Sequence, residues 1–229
     1  MKKQLKDKNC IYCGKPAEDE DHIPSRNLYK GIIKNINPIK VPSCRNCNNS
    51  FSKDEVYFRD LISSLRYEQS ITATCLFDSV IKRSIIKKPG LAKKMFNQMS
   101  LVNFYSKGGI YLGRKTAIKI DHKRVFNVLD KYIKGLFYHH FGQAILNDWI
   151  ISHHWLTPQF EKRVIDILKK LKWKRVQKNV FVYGYNFVPN TYQSIWCLVF
   201  FGQPIFYSLV LDNETANKNR NQFNNQNKK

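Results

Sequence analysis

The sequence predicts an α+β protein: a small, metal-stapled N-terminal domain followed by a basic C-terminal α+β region that ends in an antiparallel sheet. Three observations carry this expectation. Two matched Cys-x2-Cys pairs lie near the N-terminus, two long stretches repeat apolar residues at helical spacing, and three apolar runs near the C-terminus are separated by turn residues. At 229 residues, with 43% hydrophobic and 14% aromatic side chains, the chain can bury a sizeable core, which excludes disordered and collagen-like classes. It holds no run of about 18–20 apolar residues, and its basic start, MKKQLKDKNCIYC, has no apolar segment behind it. A soluble, unsecreted, cytoplasmic protein of bacterial type with no membrane partner is expected.

Net charge is +22, from 39 Lys and Arg against 17 Asp and Glu. Residues 1–68 hold 13 against 9 and residues 69–229 hold 26 against 8, so the surplus sits in the larger part. A chain this basic calls for a polyanion, and nucleic acid, double-stranded DNA first, is the expected partner. The abundance of Lys, Asn and Ile also fits an AT-rich genome, which raises Lys without any function. Expected boundaries are 1–68 for a zinc-bound domain, 69–211 for a basic accessory domain and 212–229 for a disordered polar tail. A homodimer is compatible with the sequence, which does not specify an oligomeric state.

The first element is the zinc knuckle. Cys10, Cys13, Cys44 and Cys47 form two C-x2-C pairs in an unsecreted chain and read as the four thiolates of one structural Zn2+, with Gly14 supplying backbone freedom directly after Cys13. Cys75 and Cys197 stand alone in apolar surroundings and read as small buried hydrophobes. Thirty residues separate Cys13 from Cys44, more than the roughly 15–20 of a common zinc ribbon, so something is built inside the loop. It contains Glu20-Asp21-His22-Ile23-Pro24, then Asn37-Pro38 leading to Cys44. After Cys47 and Asn48 an apolar helical pattern runs through Val56, Phe58, Leu61, Ile62 and Leu65, with Ser50 or Ser52 and Glu55 as the expected start signal.

The order C-x2-C, DH-x-P, N, C-x2-C-N over residues 10–60 resembles the HNH (ββα-metal) endonucleases, in the zinc-stapled variety built on a treble-clef-like hairpin and helix. A looser resemblance to bacterial HNH proteins covers the whole chain, through VPSCRNCNNSFSKDEVYFRDL and the strand pair Phe181-Val182-Tyr183 and Ser194-Ile195-Trp196. The resemblance implies a metal-dependent endonuclease that hydrolyses phosphodiester bonds of DNA. His22 would be the general base, Asn37 the middle asparagine, and Asp21 with Asn48 the holders of a catalytic Mg2+ or Mn2+. The glycine-rich loop common after DH-x-P is absent. Elementary chemistry agrees, because phosphodiester cleavage needs a hydroxide-like nucleophile and positive charge on the phosphate. Asn48 could instead cap a helix, Asn37 could be a turn residue before Pro38, and Glu20 could replace Asp21 as ligand. Arg45 and Lys53 are candidate phosphate contacts, or solvated surface.

The larger region offers no catalytic motif. A mixed stretch from Ile71 to Met99 is broken at 87–90, and FYSKGGIYLG (104–113) reads as a hairpin or loop. Helices are expected over 122–140, opened by Asp121-His122, and over 158–172, opened by Thr157-Pro158. Lys170, Lys172, Trp173, Lys174 and Arg175 form the densest cation run, with Trp173 available to stack on a base; a solvated helix end is the plain alternative. Strands are expected over 180–188, 194–201 and 204–211. His139-His140 and His153-His154 lack cysteine or acidic partners at fixed spacing for a second metal site. The competing functional class is a non-catalytic, zinc-containing nucleic-acid-binding module. Asp21, His22 and Asn48 together favour the nuclease, since a purely structural zinc loop needs none of them; defence, restriction and mobile-element roles all suit it.

Overall fold

In the insert between the cysteine pairs, alternating side chains form β1 (Asp19–Ile23), which pairs antiparallel with β2 (Ile39–Ser43) and sets Asp21 opposite Val41 and His22 opposite Lys40. The computed structural model describes residues 8–87, 90, 93, 97–145, 148–156, 165–177, 179–189 and 191–217, without the side chains of 204 and 205. From Cys44 the chain enters a short helix α1 (Arg45–Ser50), turns at Phe51, and continues as α2 (Ser52–Leu65). The expected start signal is not used. Ser50 and Ser52 hydroxyls donate back to the carbonyls of Cys47 and Asn49, and the Glu55 carboxylate turns to the interior.

After α3 (Ile71–Leu76), a π-helical turn (Phe77–Ile81) and α4 (Lys82–Lys87), the expected hairpin is present as β3 (Met99–Tyr105) and β4 (Tyr111–Ile118), a ribbon of its own. The long helix α5 (His122–Phe141) starts where expected: the Asp121 carboxylate accepts from the Arg124 N–H at 3.3 Å. Gly142, at φ 72°, ends it in the left-handed conformation. Five antiparallel strands follow: β5 (Trp149–Trp155), β6 (Lys172–Gln177), β7 (Phe181–Phe187), β8 (Ser194–Phe200) and β9 (Gln203–Asp212), in the order β5-β9-β8-β7-β6. β8 and β9 are joined by Phe201-Gly202, both at positive φ, the two-residue turn whose twist matches a hairpin.

Three further expectations are corrected. The expected helix over 158–172 does not reach the end of the cation run: among the described residues helix covers 165–169, and Lys172 to Arg175 lie in β6, an edge strand, where lysines guard the unpaired side. The expected helix start at 157–164 lies outside the described residues. Residues 213–217 of the expected tail are helical, anchored where Asp212 accepts from the Thr215 N–H at 2.7 Å; 218–229 lie outside the described residues. Cys197 is buried as expected, but Cys75 is exposed.

One hydrophobic core crosses position 68. Phe58, Leu61 and Ile62 of α2, Val128, Tyr132 and Leu136 of α5, and Phe181, Trp196, Phe200 and Phe206 of the sheet belong to it, together with Ile23 and Val41 of the hairpin. Helix α5 packs against α2, β1, β2 and β5 and is the common wall. Gly135 on α5 lies against Ile23 of β1. A Cβ there would stand 2.5 Å from Ile23 Cγ1, so only glycine leaves room for that side chain. No helix among the described residues is long and apolar enough to cross a membrane.

Candidate metal centre and pocket

The four sulfurs of Cys10, Cys13, Cys44 and Cys47 lie within 4.8 Å of one another, close enough to hold a metal ion such as zinc. A tetrahedral zinc with Zn–S bonds of about 2.3 Å has sulfur–sulfur edges of about 3.8 Å. Cys13 Sγ and Cys44 Sγ are 3.7 Å apart, so the donor set fits. Burial pushes the Cys10 thiol up, but hydrogen bonds from the backbones of Cys44, Tyr12 and Cys13 outweigh it and bring it down to about 7. The Cys10 thiolate is thereby favoured, whereas burial pushes the Cys47 thiol up.

Tyr12, inside the first knuckle, links the cysteines to the neighbouring pocket. Its hydroxyl donates to Asp21 Oδ2 at 2.9 Å, and burial with the Asp21 charge pushes the phenol up, keeping it a donor. Asp21, His22 and Asn48 line one cavity of about 300 Å3, together with Asp19, Glu20, Ser25, Arg26, Lys40, Glu55 and Lys131. Asn37 lines an adjoining cavity, and His22, Arg26 and Lys40 line both. His22 is half-buried, and its Nε2 is closed in without a hydrogen-bond partner. Burial, then the Arg26 guanidinium, hold its imidazole below the ordinary histidine value, against the opposing pull of Asp21, so the ring is neutral near pH 7. At the rim Lys40 Nζ pairs with Glu20 at 3.0 Å.

The floor of the pocket comes from α5. Lys131, 1% exposed, directs its ammonium to Asp21 Oδ1 at 2.8 Å, to the Glu55 carboxylate, and to Ser25 Oγ at 3.5 Å. Ser25 donates to Glu55 at 2.7 Å and accepts from the Tyr132 hydroxyl at 3.0 Å. All three ammonium donors are thereby engaged. Removing one partner from a buried pair of this kind typically costs about 3–5 kcal/mol, because the remaining charge is left uncompensated. Lys131, Tyr12, Ser25, Arg26 and Glu55 were not singled out from sequence as members of a site. One signal was available: Lys131 falls on the apolar stripe of α5, three residues after Val128 and four before Gly135.

The catalytic Mg2+ or Mn2+ that the resemblance implies on Asp21 and Asn48 does not fit this donor set. Asp21 Oδ1 accepts from Lys131 and from the His22 N–H at 2.7 Å, and Oδ2 from Tyr12, so three of about four lone-pair positions are taken. An ion at the roughly 2.1 Å of a magnesium–oxygen bond would sit against the Lys131 charge. The Asn48 amide alone is no ion site.

Other candidates lie elsewhere. Arg45 is exposed beside the zinc knuckle, and its backbone N–H donates to Glu18 at 3.1 Å. Lys53 is exposed on α2 and lines a different, largely apolar cavity. Lys172, Trp173, Lys174 and Arg175 share the exposed edge strand β6, with Lys170 just before it. The Trp173 ring lies against Gly184 and donates to the Leu168 carbonyl at 3.3 Å. In the histidine pairs, His153 meets Ser208 at 2.8 Å and Asp130 at 2.9 Å, His154 stacks on Tyr207, and His140 meets Tyr183 at 2.9 Å. No protein family, curated protein or solved structure matches the chain, so its chemistry rests on this geometry.

Proposed function

We propose that the protein is a nuclease of HNH type that hydrolyses phosphodiester bonds of DNA, with His22 as general base. The observation that carries this reading is the His22 ring: neutral near pH 7, its Nε2 unpartnered, on the wall of a cavity rimmed by Arg26 and Lys40. A water entering the cavity gives a proton to Nε2 as its oxygen attacks phosphorus, the bond from phosphorus to the 3′ oxygen breaks, and that oxygen leaves with a proton taken from solvent water, while the Arg26 and Lys40 charges meet the non-bridging oxygens. The hairpin followed by a helix, stapled by four cysteines, is the arrangement the resemblance implies. The exposed cations of β6 and of the β3–β4 ribbon, which contains Lys107, Arg114 and Lys115 and no acid, would meet the DNA backbone. No divalent ion takes part in this derivation, because Asp21 does not fit one.

A second reading, a nucleic-acid-binding module without catalysis, is favoured by that same occupation of Asp21. Purified protein and His22→Ala, incubated with supercoiled plasmid, separate the two. His22→Ala is expected to cleave about 10²–10⁴-fold more slowly with binding retained, the usual contribution of a general base. Equal cleavage by both proteins, or none by either, hands the site to the binding module.

A further inference from the structure

We propose that the pocket carries its own cation: Lys131 occupies the place of a divalent ion, so the site excludes Mg2+ and Mn2+ and acts on a phosphodiester without them. The exclusion stands on the geometry alone; the metal-free action rests on the nuclease reading above.

Three features make Lys131 a resident charge. It comes from α5, a helix anchored at both ends and packed against the hairpin, so its backbone is set by the core and not by the pocket. It is 1% exposed, packed on the floor of the cavity with its ammonium held in place by its partners. Its three donors fall on Asp21, Glu55 and Ser25, which joins the base of β1 to the inner turn of α2. Asp21 and Glu55 are the two carboxylates facing each other across the pocket floor, and either could otherwise hold a hard cation through oxygen. Of the remaining acids around the cavity, Glu20 is tied to Lys40 and Asp19 is exposed at the rim.

Lys131 does not touch a substrate in this arrangement, and its role is positional. It fixes the Asp21 carboxylate, whose Oδ1 also accepts from the His22 N–H, and so fixes the backbone that carries the base. A lysine also fits the task better than an arginine would, because a compact point charge can lie between two carboxylates and a hydroxyl at once.

Zinc-loaded protein is titrated with Mn2+ and bound ion is read by electron paramagnetic resonance. Wild type is expected to bind none in the pocket at millimolar Mn2+. Lys131→Met, of similar length without charge, is expected to gain a Mn2+ site that Asp21→Asn added to it removes, while Lys131→Arg gains none. Mn2+ binding by wild type that Asp21→Asn abolishes overturns the proposal, and this arm decides even if Lys131→Met fails to fold. Plasmid cleavage is then measured with zinc as the only metal. Cleavage undiminished without Mg2+ supports metal-free action. Cleavage that appears only with Mg2+ or Mn2+ overturns the proposal and leaves His22 as base. Cleavage under neither condition overturns the nuclease reading and with it metal-free action, while the Mn2+ titration still decides the exclusion.

Discussion

The hairpin end of the molecule and the five-stranded sheet meet the same helix and are held to it by opposite means. β1 and β2 are only two strands, marginal on their own in water, and they are fastened by thiolates at one end and buried ionic contacts at the other. The sheet is fastened by aromatic packing, with Tyr132 of α5 set 6.0 Å from Phe181 and Phe58 of α2 set 5.2 Å from Phe200. Helix α5 shows both habits on neighbouring residues: Lys131 and Gly135 serve the hairpin, Tyr132 and Phe137 the sheet. The candidate chemistry sits on the end with less apolar packing. A pocket lined by polar groups cannot also be a dry core, so the hairpin around it is held by a cysteine set able to bind a metal and by a borrowed helix.

Chelating the metal that the four cysteines can hold is expected to break that comparison most directly. Structural zinc sites in small domains carry apparent binding free energies of about 10–16 kcal/mol at neutral pH, more than the stability of a typical domain. Chelation is expected to abolish amide exchange protection across β1, β2 and α1, while β7, β8 and β9 keep theirs, with one zinc per chain released by elemental analysis. Protection lost equally in the sheet would show that the two ends are one cooperative unit. Protection unchanged in the hairpin would show that α5 alone holds it.

A smaller effect is expected at the Gly135 notch. Replacing a helix-interior glycine by alanine ordinarily gains about 0.5–1 kcal/mol in backbone entropy. Here the new Cβ would stand 2.5 Å from Ile23 Cγ1, and Ile23 is fully buried, so it has nowhere to retreat. Overpacking of this kind costs about 1–3 kcal/mol, so Gly135→Ala is expected to be destabilising on balance and Gly135→Val more so. Denaturant midpoints measure it. A stabilised Gly135→Ala would mean that the hairpin shifts freely on α5, and that the pocket floor is not rigid.

What the sequence disclosed follows the same division. The cysteine spacing, α5 with its Asp121 cap, the β3–β4 hairpin and strands β7 to β9 all announce themselves in local patterns, and each is present. β6 did not, because Lys-Trp-Lys-Arg continues a helical-looking stretch and only its place at a sheet edge tells that lysines belong there in a strand. β5 mixes two histidines into an apolar run, and its pairing partner β9 is more than 50 residues away. The reach of the pocket was hidden for the same reason. An Asp-His dipeptide reads identically whether the carboxylate faces a metal or a lysine 110 residues later, and Lys131 acquires its meaning only from partners brought to it by folding.

The last test is of the sheet side of α5, and its effect appears on acidification. His140 sits near the helix end against the aromatic layer, its ring centroid 4.1 Å from that of Tyr185 and its Nε2 2.9 Å from the Tyr183 hydroxyl. Burial first, then the charges of His139 and Lys174, lower its imidazole to about 4. An unfolded histidine takes its proton near pH 6.5. Between those two values the unfolded chain holds the extra proton, so stability rises with pH across this window and is lost as pH falls from about 6.5 towards about 4. His140→Phe keeps the ring packing and removes the titration. Its denaturant midpoint is expected to fall less steeply than that of wild type on acidification through this window, after a small loss at neutral pH from the missing Tyr183 bond. His139, His154 and His22 are shifted down as well and remain in both proteins, so the difference between the two slopes isolates His140. Parallel slopes would mean that the ring is already open to water, and that the aromatic side of α5 is looser than the hairpin side.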